Sequence, residues 1–128
     1  MRSLARETVF QYFFSRLFNQ QDEGLFDVLV KNLDKDDRIF AEKLKNAVLY
    51  NAEKYGEILK DIVENYKVSR IFSADKCAIF IGMAELDNIK ETPKIVAIDE
   101  AVKLAAKFST ENSTDFVNGV LAEYAKDK

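Results

Sequence analysis

Residues that interrupt helices are scarce throughout this chain. Its 128 residues include one proline and four glycines, so few positions break a helix or form a tight turn. Apolar residues make up 48% of the chain and recur at helical spacing. Short β-branched runs lie inside these longer helical patterns. The sequence therefore predicts an all-α protein of about seven helices, drafted at about 3–19, 24–32, 34–53, 55–66, 73–86, 93–108 and 113–124.

Length, charge and apolar runs limit the possible classes of protein. A chain of 128 residues suits one compact domain, which we predict over 1–128. It has no apolar run of about 18 residues, so we expect no membrane span. The single Cys77 and the charged amino terminus, which does not read as a signal peptide, favour a cytoplasmic protein. The net charge of −3 gives no overall basic footprint for nucleic acid.

Catalytic chemistry has little support in the sequence. There is no histidine, the commonest general base and metal ligand. Cys77 lies on a predicted helix with no histidine to activate it, so we interpret it as a small buried hydrophobe. Asp34, Asp36 and Asp37 loosely resemble a calcium loop, but the turn glycine and terminal glutamate of such a loop are missing. We therefore predict that the protein is not an enzyme and has no metal or cofactor.

The first predicted helix is apolar around much of its girth. Its aromatic residues do not fit on one helical face, which indicates contacts on several sides. Two explanations remain open and can both hold: a core helix touched by several others, or an aromatic edge offered to another protein. The residues concerned are Phe10, Tyr12, Phe13, Phe14 and Phe18.

The stretch from residue 92 to 124 predicts two helices joined by a short polar turn. Pro93 is expected at the first helical position after Thr92 as N-cap. Asn112, with Asp115 three residues later, predicts a variant capping box at the second helix. The expected apolar stripes are Ile95, Ile98, Val102 and Ala105 on the first helix, and Phe116, Val117, Val120, Leu121 and Tyr124 on the second.

This stretch also contains literal motifs. The strings P-x-x-V-A-I-D-E-A-V-x-L-A and F-V-N-G-V-L resemble the carboxyl-terminal signature of the NusB family of bacterial transcription antitermination factors. Ala5-Arg6-Glu7 resembles the family's opening, and Ser69-Arg70-Ile71 with Asp75-Lys76 resembles its middle motif. The resemblance spans nearly the whole chain. It implies an all-α fold of two small helical bundles packed across each other, which we draft as about 1–66 and 67–128.

The resemblance also implies a function. Members of the family pair with NusE, a small-subunit ribosomal protein, and together they bind the boxA segment of nascent RNA. The pair joins an antitermination complex on RNA polymerase that supports transcription of ribosomal RNA operons, and it catalyses no reaction. Family members include monomers and homodimers, so the oligomeric state stays open.

Four residues are expected to contact RNA through this resemblance. Arg2 and Arg6 would hold phosphates, Phe116 would stack on an unpaired base, and Asn118 would bond a base edge or the backbone. From the residues alone, the two arginines could be solvated charges on one helical face. The residues alone favour a core role for Phe116 over base stacking, and only the resemblance weighs the two equally.

The expected NusE contacts are Phe14 and Asp75. Phe14 stands where relatives often carry a tyrosine, and Asp75 occupies an acidic position that the family uses toward NusE. We therefore expect a surface built from aromatics of the first helix beside the start of the fifth.

Several positions lack the positive charge that is usual in the family. They are Ser3, Leu4, Phe80 and Asp115. Each lost cation removes a phosphate contact, so we predict weaker RNA binding than is typical, or greater reliance on NusE. The alternative is a helical protein–protein adaptor that keeps the fold and partner surface but has lost RNA binding.

Overall fold

The computed structural model describes residues 2–18, 24–66 and 71–128, and every regular element in these ranges is a helix. Asn19, at the end of the first predicted helix, and Arg70, in the middle motif, lie outside the described residues. The all-α prediction is confirmed, although six α-helices are described where about seven were drafted. In chain order these are α1 (Arg2–Phe18), α2 (Leu25–Leu29), a short 3₁₀ helix (Val30–Asn32), α3 (Lys35–Tyr66), α4 (Ser73–Asn88), α5 (Lys94–Phe108) and α6 (Ser113–Ala125).

The third and fourth drafted helices form one continuous helix, α3. Asp34 begins it by accepting a hydrogen bond from the backbone N–H of Asp37 at 2.8 Å, the expected acidic start. The buried side chains Val48, Tyr55, Leu59 and Val63 continue at helical spacing across the drafted break. Packing of this stripe outweighs the weak helix propensity of Gly56, which lies within the helix.

The centre of the fold is α4 rather than the first helix. Every residue from Cys77 to Glu85 is buried, because α1, α3, α5 and α6 all pack against this helix. The first helix, α1, contacts α2, α3, α4 and α5, yet Tyr12, Phe13 and Phe14 stay half-buried. The helices that α1 contacts come from both halves of the chain, so these contacts do not separate one half from the other. The drafted division into two sub-bundles therefore stays a prediction.

The buried face of α5 differs from the predicted stripe. Ile95 is 68% exposed, whereas Ala97, Ala101, Leu104 and Ala105 face the core. Alanine allows close helix approach: a Cβ added at Gly82 of α4 would lie 3.1 Å from Cβ of Ala101 and 2.6 Å from Cδ1 of Leu121. The three helices α4, α5 and α6 are therefore so close that small residues, not large ones, define their contact.

The two predicted caps of the α5–α6 hairpin are wrong in detail. Pro93 is itself the N-cap of α5, with extended backbone angles, and the helix begins at Lys94. Asn112 adopts helical angles and makes no side-chain capping bond, so the capping box is absent. The hydroxyl of Ser113 instead lies 2.9 Å from that of Thr110 and 3.0 Å from that of Ser109, and these contacts tie the turn together.

Candidate functional site

The first helical residue, Arg2, is partly open to solvent. Its side chain is 44% exposed, and Nη2 donates to Oε1 of Glu91 at 3.2 Å. Its guanidinium carbon lies 4.5 Å from the ring centroid of Phe40 on α3, a cation–π contact. Arg2 therefore combines a stacked, partly ordered guanidinium with access to a ligand.

Arg6 has a different environment, although it lies one turn away on the same helix. Its Nε and Nη2 atoms donate to the two carboxylate oxygens of Glu85, at 2.7 and 2.5 Å, and Nη1 lies 3.3 Å from Oε1 of Glu100. The side chains of Arg6 and Glu85 are only 5% and 1% exposed. All three guanidinium nitrogens thus face carboxylates, and Arg6 offers no free edge to a phosphate in this structure.

The sequence prediction missed the carboxylates that hold these arginines. Glu85 lies 79 residues from Arg6, so no local spacing links them. A signal did exist: Glu85 follows eight consecutive uncharged residues, Cys77 to Ala84, on its helix. A charge in such a helix is rarely buried unless it is paired.

A cleft opens between the starts of α1 and α5. Its volume is about 330 Å³. Two of the three glutamates that pair with the arginines, Glu91 and Glu100, line it together with hydroxyl and apolar groups. The lining residues are Arg2, Ser3, Arg6, Glu91, Thr92, Pro93, Val96 and Glu100.

Asp75 lies in the first turn of α4 and is 4% exposed. Its Oδ2 accepts a hydrogen bond from the hydroxyl of Ser113 at 3.0 Å. Within the part of the chain that the structure describes, no donor reaches its Oδ1. A buried carboxylate oxygen without a partner is costly, which marks this position as unusual.

Phe14 belongs to a stack of rings on the same side of the molecule as Asp75. It stacks on Phe10 with centroids 5.8 Å apart, and Phe10 stacks on Phe108 at 4.6 Å. Phe108 ends α5 and precedes Ser109, whose hydroxyl contacts Ser113, the partner of Asp75. The structure thus brings the two predicted NusE residues to one end of the helical bundle.

Phe116 and Asn118 lie on α6, outside both groups. Phe116 is half-buried against the core, while Asn118 is exposed. Two residues apart on a helix, they point about 200° away from each other. No described contact joins either residue to the arginine cleft, since α6 packs mainly against α5 and α4.

A further polar cluster joins α3, α4 and the carboxyl terminus. Asp87 accepts hydrogen bonds from the hydroxyls of Tyr55 and Tyr124 and from Nζ of Lys128. Burial alone would raise the pKa of Asp87, but the hydrogen bonds outweigh it and keep the pKa below its usual value. Burial, reinforced by the neighbouring Asp87 carboxylate, raises the pKa of both tyrosines.

The described residues provide neither a metal-binding cluster nor a membrane-spanning helix. No group of three or more histidine, cysteine or acidic side chains is placed to hold a metal ion there. None of the helices described is both long and apolar enough to cross a membrane.

These features define an all-α protein with two separate groups of candidate site residues, one charged and one aromatic, at the two ends of α1. The chain belongs to the NusB family, whose model matches residues 1–126. Among curated relatives, the transcription antitermination protein NusB of Methylacidiphilum infernorum is 31% identical, over 98% of this chain and 91% of its own. That of Salinibacter ruber is 33% identical, over 91% of this chain and 76% of its own.

Solved structures agree with this assignment. NusB from T. maritima superposes with a TM-score of 0.90 at 26% identity, covering 99% of this chain and 92% of that one. A chain from a crystal structure of antitermination factors NusB and NusE in complex with double-stranded RNA gives a TM-score of 0.85 at 28% identity. The match covers 99% of this chain and 97% of that one. The family and fold expected from the sequence are therefore confirmed.

Proposed function

We propose that this chain is a transcription antitermination factor that binds boxA-type RNA together with NusE and supports ribosomal RNA transcription. The observation that carries the proposal is its similarity, over nearly the full length of both chains, to a protein solved with NusE and RNA. In this role the chain binds and positions other molecules within an RNA polymerase complex and catalyses no reaction. It works in the cytoplasm, where bacterial transcription takes place.

The proposed RNA surface includes the amino-terminal end of α1. Arg2 is the arginine with access to solvent and can donate to a phosphate once Glu91 is displaced. Arg6 acts as a positioning residue, because its pairing with Glu85 fixes the turn of α1 that carries Arg2. Phe116 and Asn118 are proposed as further RNA contacts along α6, through base stacking and hydrogen bonding respectively.

The proposed NusE surface is the opposite end of α1 with the start of α4. Phe14 contributes a half-buried ring, and Asp75, although only 4% exposed, contributes the negative charge at this end of the bundle. An aromatic group beside a charge is typical of the residues that dominate small interfaces.

One observation favours the alternative of a protein-only adaptor. Arg6 is neutralised internally, and Glu91 competes for Arg2, so little free positive charge remains at this end of α1. Since phosphate neutralisation supplies most nonspecific RNA affinity, RNA binding by this chain alone should be weak.

The experiment is a fluorescence titration of a boxA-like strand and a scrambled strand of equal composition, each with and without NusE. The proposal expects tight, sequence-dependent binding only when NusE is present, and a loss of about 1–3 kcal/mol for Phe116→Ala. Asn118→Ala should give a smaller loss. Equal affinity for both strands, unchanged by Arg2→Ala and Phe116→Ala, would establish the protein-only adaptor instead.

A further inference from the structure

The cleft between the starts of α1 and α5 offers a phosphate little uncompensated positive charge. Among its lining residues, Arg2 and Arg6 contribute two positive charges and Glu91 and Glu100 contribute two negative ones, while Glu85 pairs with Arg6 from outside the lining. A phosphate group entering this space would meet cations that carboxylates already neutralise. The groups that the cleft can satisfy are instead uncharged hydrogen-bond donors.

Glu100 supplies a hydrogen-bond acceptor for such a donor. Its side chain is 14% exposed and lines the cleft. Both of its polar contacts end on Oε1, from the hydroxyl of Ser3 at 2.8 Å and from Arg6 at 3.3 Å. Among the described residues none donates to Oε2, which leaves that oxygen available to a ligand. Glu91 adds a second, more exposed carboxylate to the same lining.

The remaining walls suit a flat aromatic ligand. Pro93 and Val96 form an apolar side, and Arg2 forms a cationic one. The Arg2 guanidinium already lies over the ring of Phe40, and its side chain is 44% exposed, so a second ring can reach it from solvent. Guanidinium planes are common stacking surfaces for unpaired RNA bases. The volume of about 330 Å³ lies at the small end of the range for ligand pockets, about 300–1,000 Å³.

We propose that this cleft binds one unpaired guanine base of the RNA, recognised through its Watson–Crick edge by Glu100 and Glu91 and covered by Arg2. Guanine presents two neighbouring donors on that edge, N1–H and the N2 amino group. Uracil presents a single N–H between two carbonyl oxygens, which the carboxylates would repel. The inference rests on the proposed RNA-binding function and adds to it the identity of one recognised base.

The first test avoids RNA and NusE altogether. The full chain with ¹³C-labelled methyl groups is titrated with guanosine, inosine, uridine and inorganic phosphate, while the Val96 and Thr92 methyl resonances are followed. We expect saturable shifts with guanosine, weaker ones with inosine, which lacks the N2 amino group, and none with uridine or phosphate. Shifts with uridine or phosphate that match those with guanosine, or no shift with any nucleoside, would overturn the proposal.

The second test uses a boxA-like strand containing guanine, with NusE present. Replacing each guanine in turn by uridine should weaken binding about tenfold at one position, the size of a specific base contact. In the double variant that carries both Glu91→Gln and Glu100→Gln, replacing the same guanine should weaken RNA binding only about twofold or less. A double-mutant cycle gives this result when the glutamates and the guanine interact. Glu57→Gln, an exposed charge change on α3, is the matched control and should keep the full effect.

The outcomes distinguish a failure of the guanine pocket from a failure of the proposed antitermination function. If the strand binds but no guanine position depends on the two glutamates, the guanine pocket is wrong while the antitermination function stands. If no RNA binds under any condition, the proposed function fails and the nucleoside titration alone decides whether the pocket recognises guanine. Because Glu100 also contacts Arg6, the melting temperature of each variant is measured, and Glu91→Gln alone replaces the pair if the double variant is unfolded.

Discussion

The two ends of α1 are fixed by different kinds of interaction. At its start, Arg2 and Arg6 pair with carboxylates from α4, α5 and the loop between them. About 18 Å further along the helix, Phe14 belongs to a stack of rings that ends at Phe108, just before the α5–α6 turn whose Ser113 contacts Asp75. An arginine used to fix the fold is not available to RNA, whereas a ring can pack inward and still offer an edge. The charged end therefore has little free charge, while the aromatic end keeps one carboxylate oxygen, Oδ1 of Asp75, to which no described residue donates.

The largest expected effect is on the buried ion pair. Arg6→Ala leaves the carboxylate of Glu85 buried without its partner, which should lower the free energy of unfolding by about 3–5 kcal/mol. Arg2→Ala is the matched control, since its ion pair is exposed, and it should shift the urea midpoint very little. Similar midpoints for the two variants would remove the distinction between a structural and a binding arginine.

A smaller effect is expected in α4, the helix that links the two ends through Asp75 and Glu85. Gly82→Ala places a Cβ 2.6 Å from Leu121, so overpacking should cost about 1–3 kcal/mol in urea unfolding. Gly56→Ala is the control within a helix: its Cβ meets only Phe80, at 3.9 Å, and should raise stability by about 0.5–1 kcal/mol. Equal responses at both glycines would show that α4 is not tightly enclosed.

The aromatic end allows a test that separates stability from binding. Asp75→Asn removes a buried charge with an unpaired oxygen but keeps an acceptor for Ser113, so thermal unfolding should show unchanged stability or a gain of about 1 kcal/mol. The same variant should bind NusE more weakly in calorimetric titration, because it loses the charge. A variant that is less stable and binds NusE normally would identify Asp75 as purely structural.

The smallest effect concerns pH and lies away from both ends of α1. The pKa of Asp87 is lowered on folding, so its contribution to stability is complete above the ordinary value of 3.8 and disappears as pH falls through the folded pKa. Asp87→Asn should therefore flatten the acid side of the stability–pH curve measured by urea unfolding. The raised pKa values of Tyr55 and Tyr124 act in the opposite sense: their contribution is lost as pH rises above 10.0. An unchanged acid limb in the variant would assign that limb to other carboxylates.

Much of the fold followed from the sequence, and the differences have specific causes. The scarcity of glycine and proline correctly predicted helices throughout. The predicted stripe of α5 was wrong at Ile95, which is exposed, whereas Ile98, Val102 and Ala105 do pack against the core. The stripe missed the small residues Ala97 and Ala101, and Ala101 allows the close approach to α4. The break in α3 was drafted where the buried stripe in fact continues through Tyr55.

The candidate sites were less accessible to sequence reasoning. Motif resemblance identified Arg6 but could not distinguish a phosphate contact from a buried ion pair, because its partners come from α4 and α5. The juxtaposition of Asp75 with Ser113 likewise depends on how the α5–α6 turn meets α4. Both cases require tertiary packing, which spacing along one helix does not contain.

We propose that the two ends of α1 bind different molecules, RNA at Arg2 and NusE at Phe14 and Asp75. The most direct test titrates Arg2→Ala and Asp75→Lys with NusE, and then titrates each mixture with a boxA-like strand at several salt concentrations. We predict that Asp75→Lys loses NusE binding, whereas Arg2→Ala keeps it and lowers the salt dependence of RNA binding by about one contact. Equal loss of NusE binding in both variants, or normal NusE binding by Asp75→Lys, would contradict the claim.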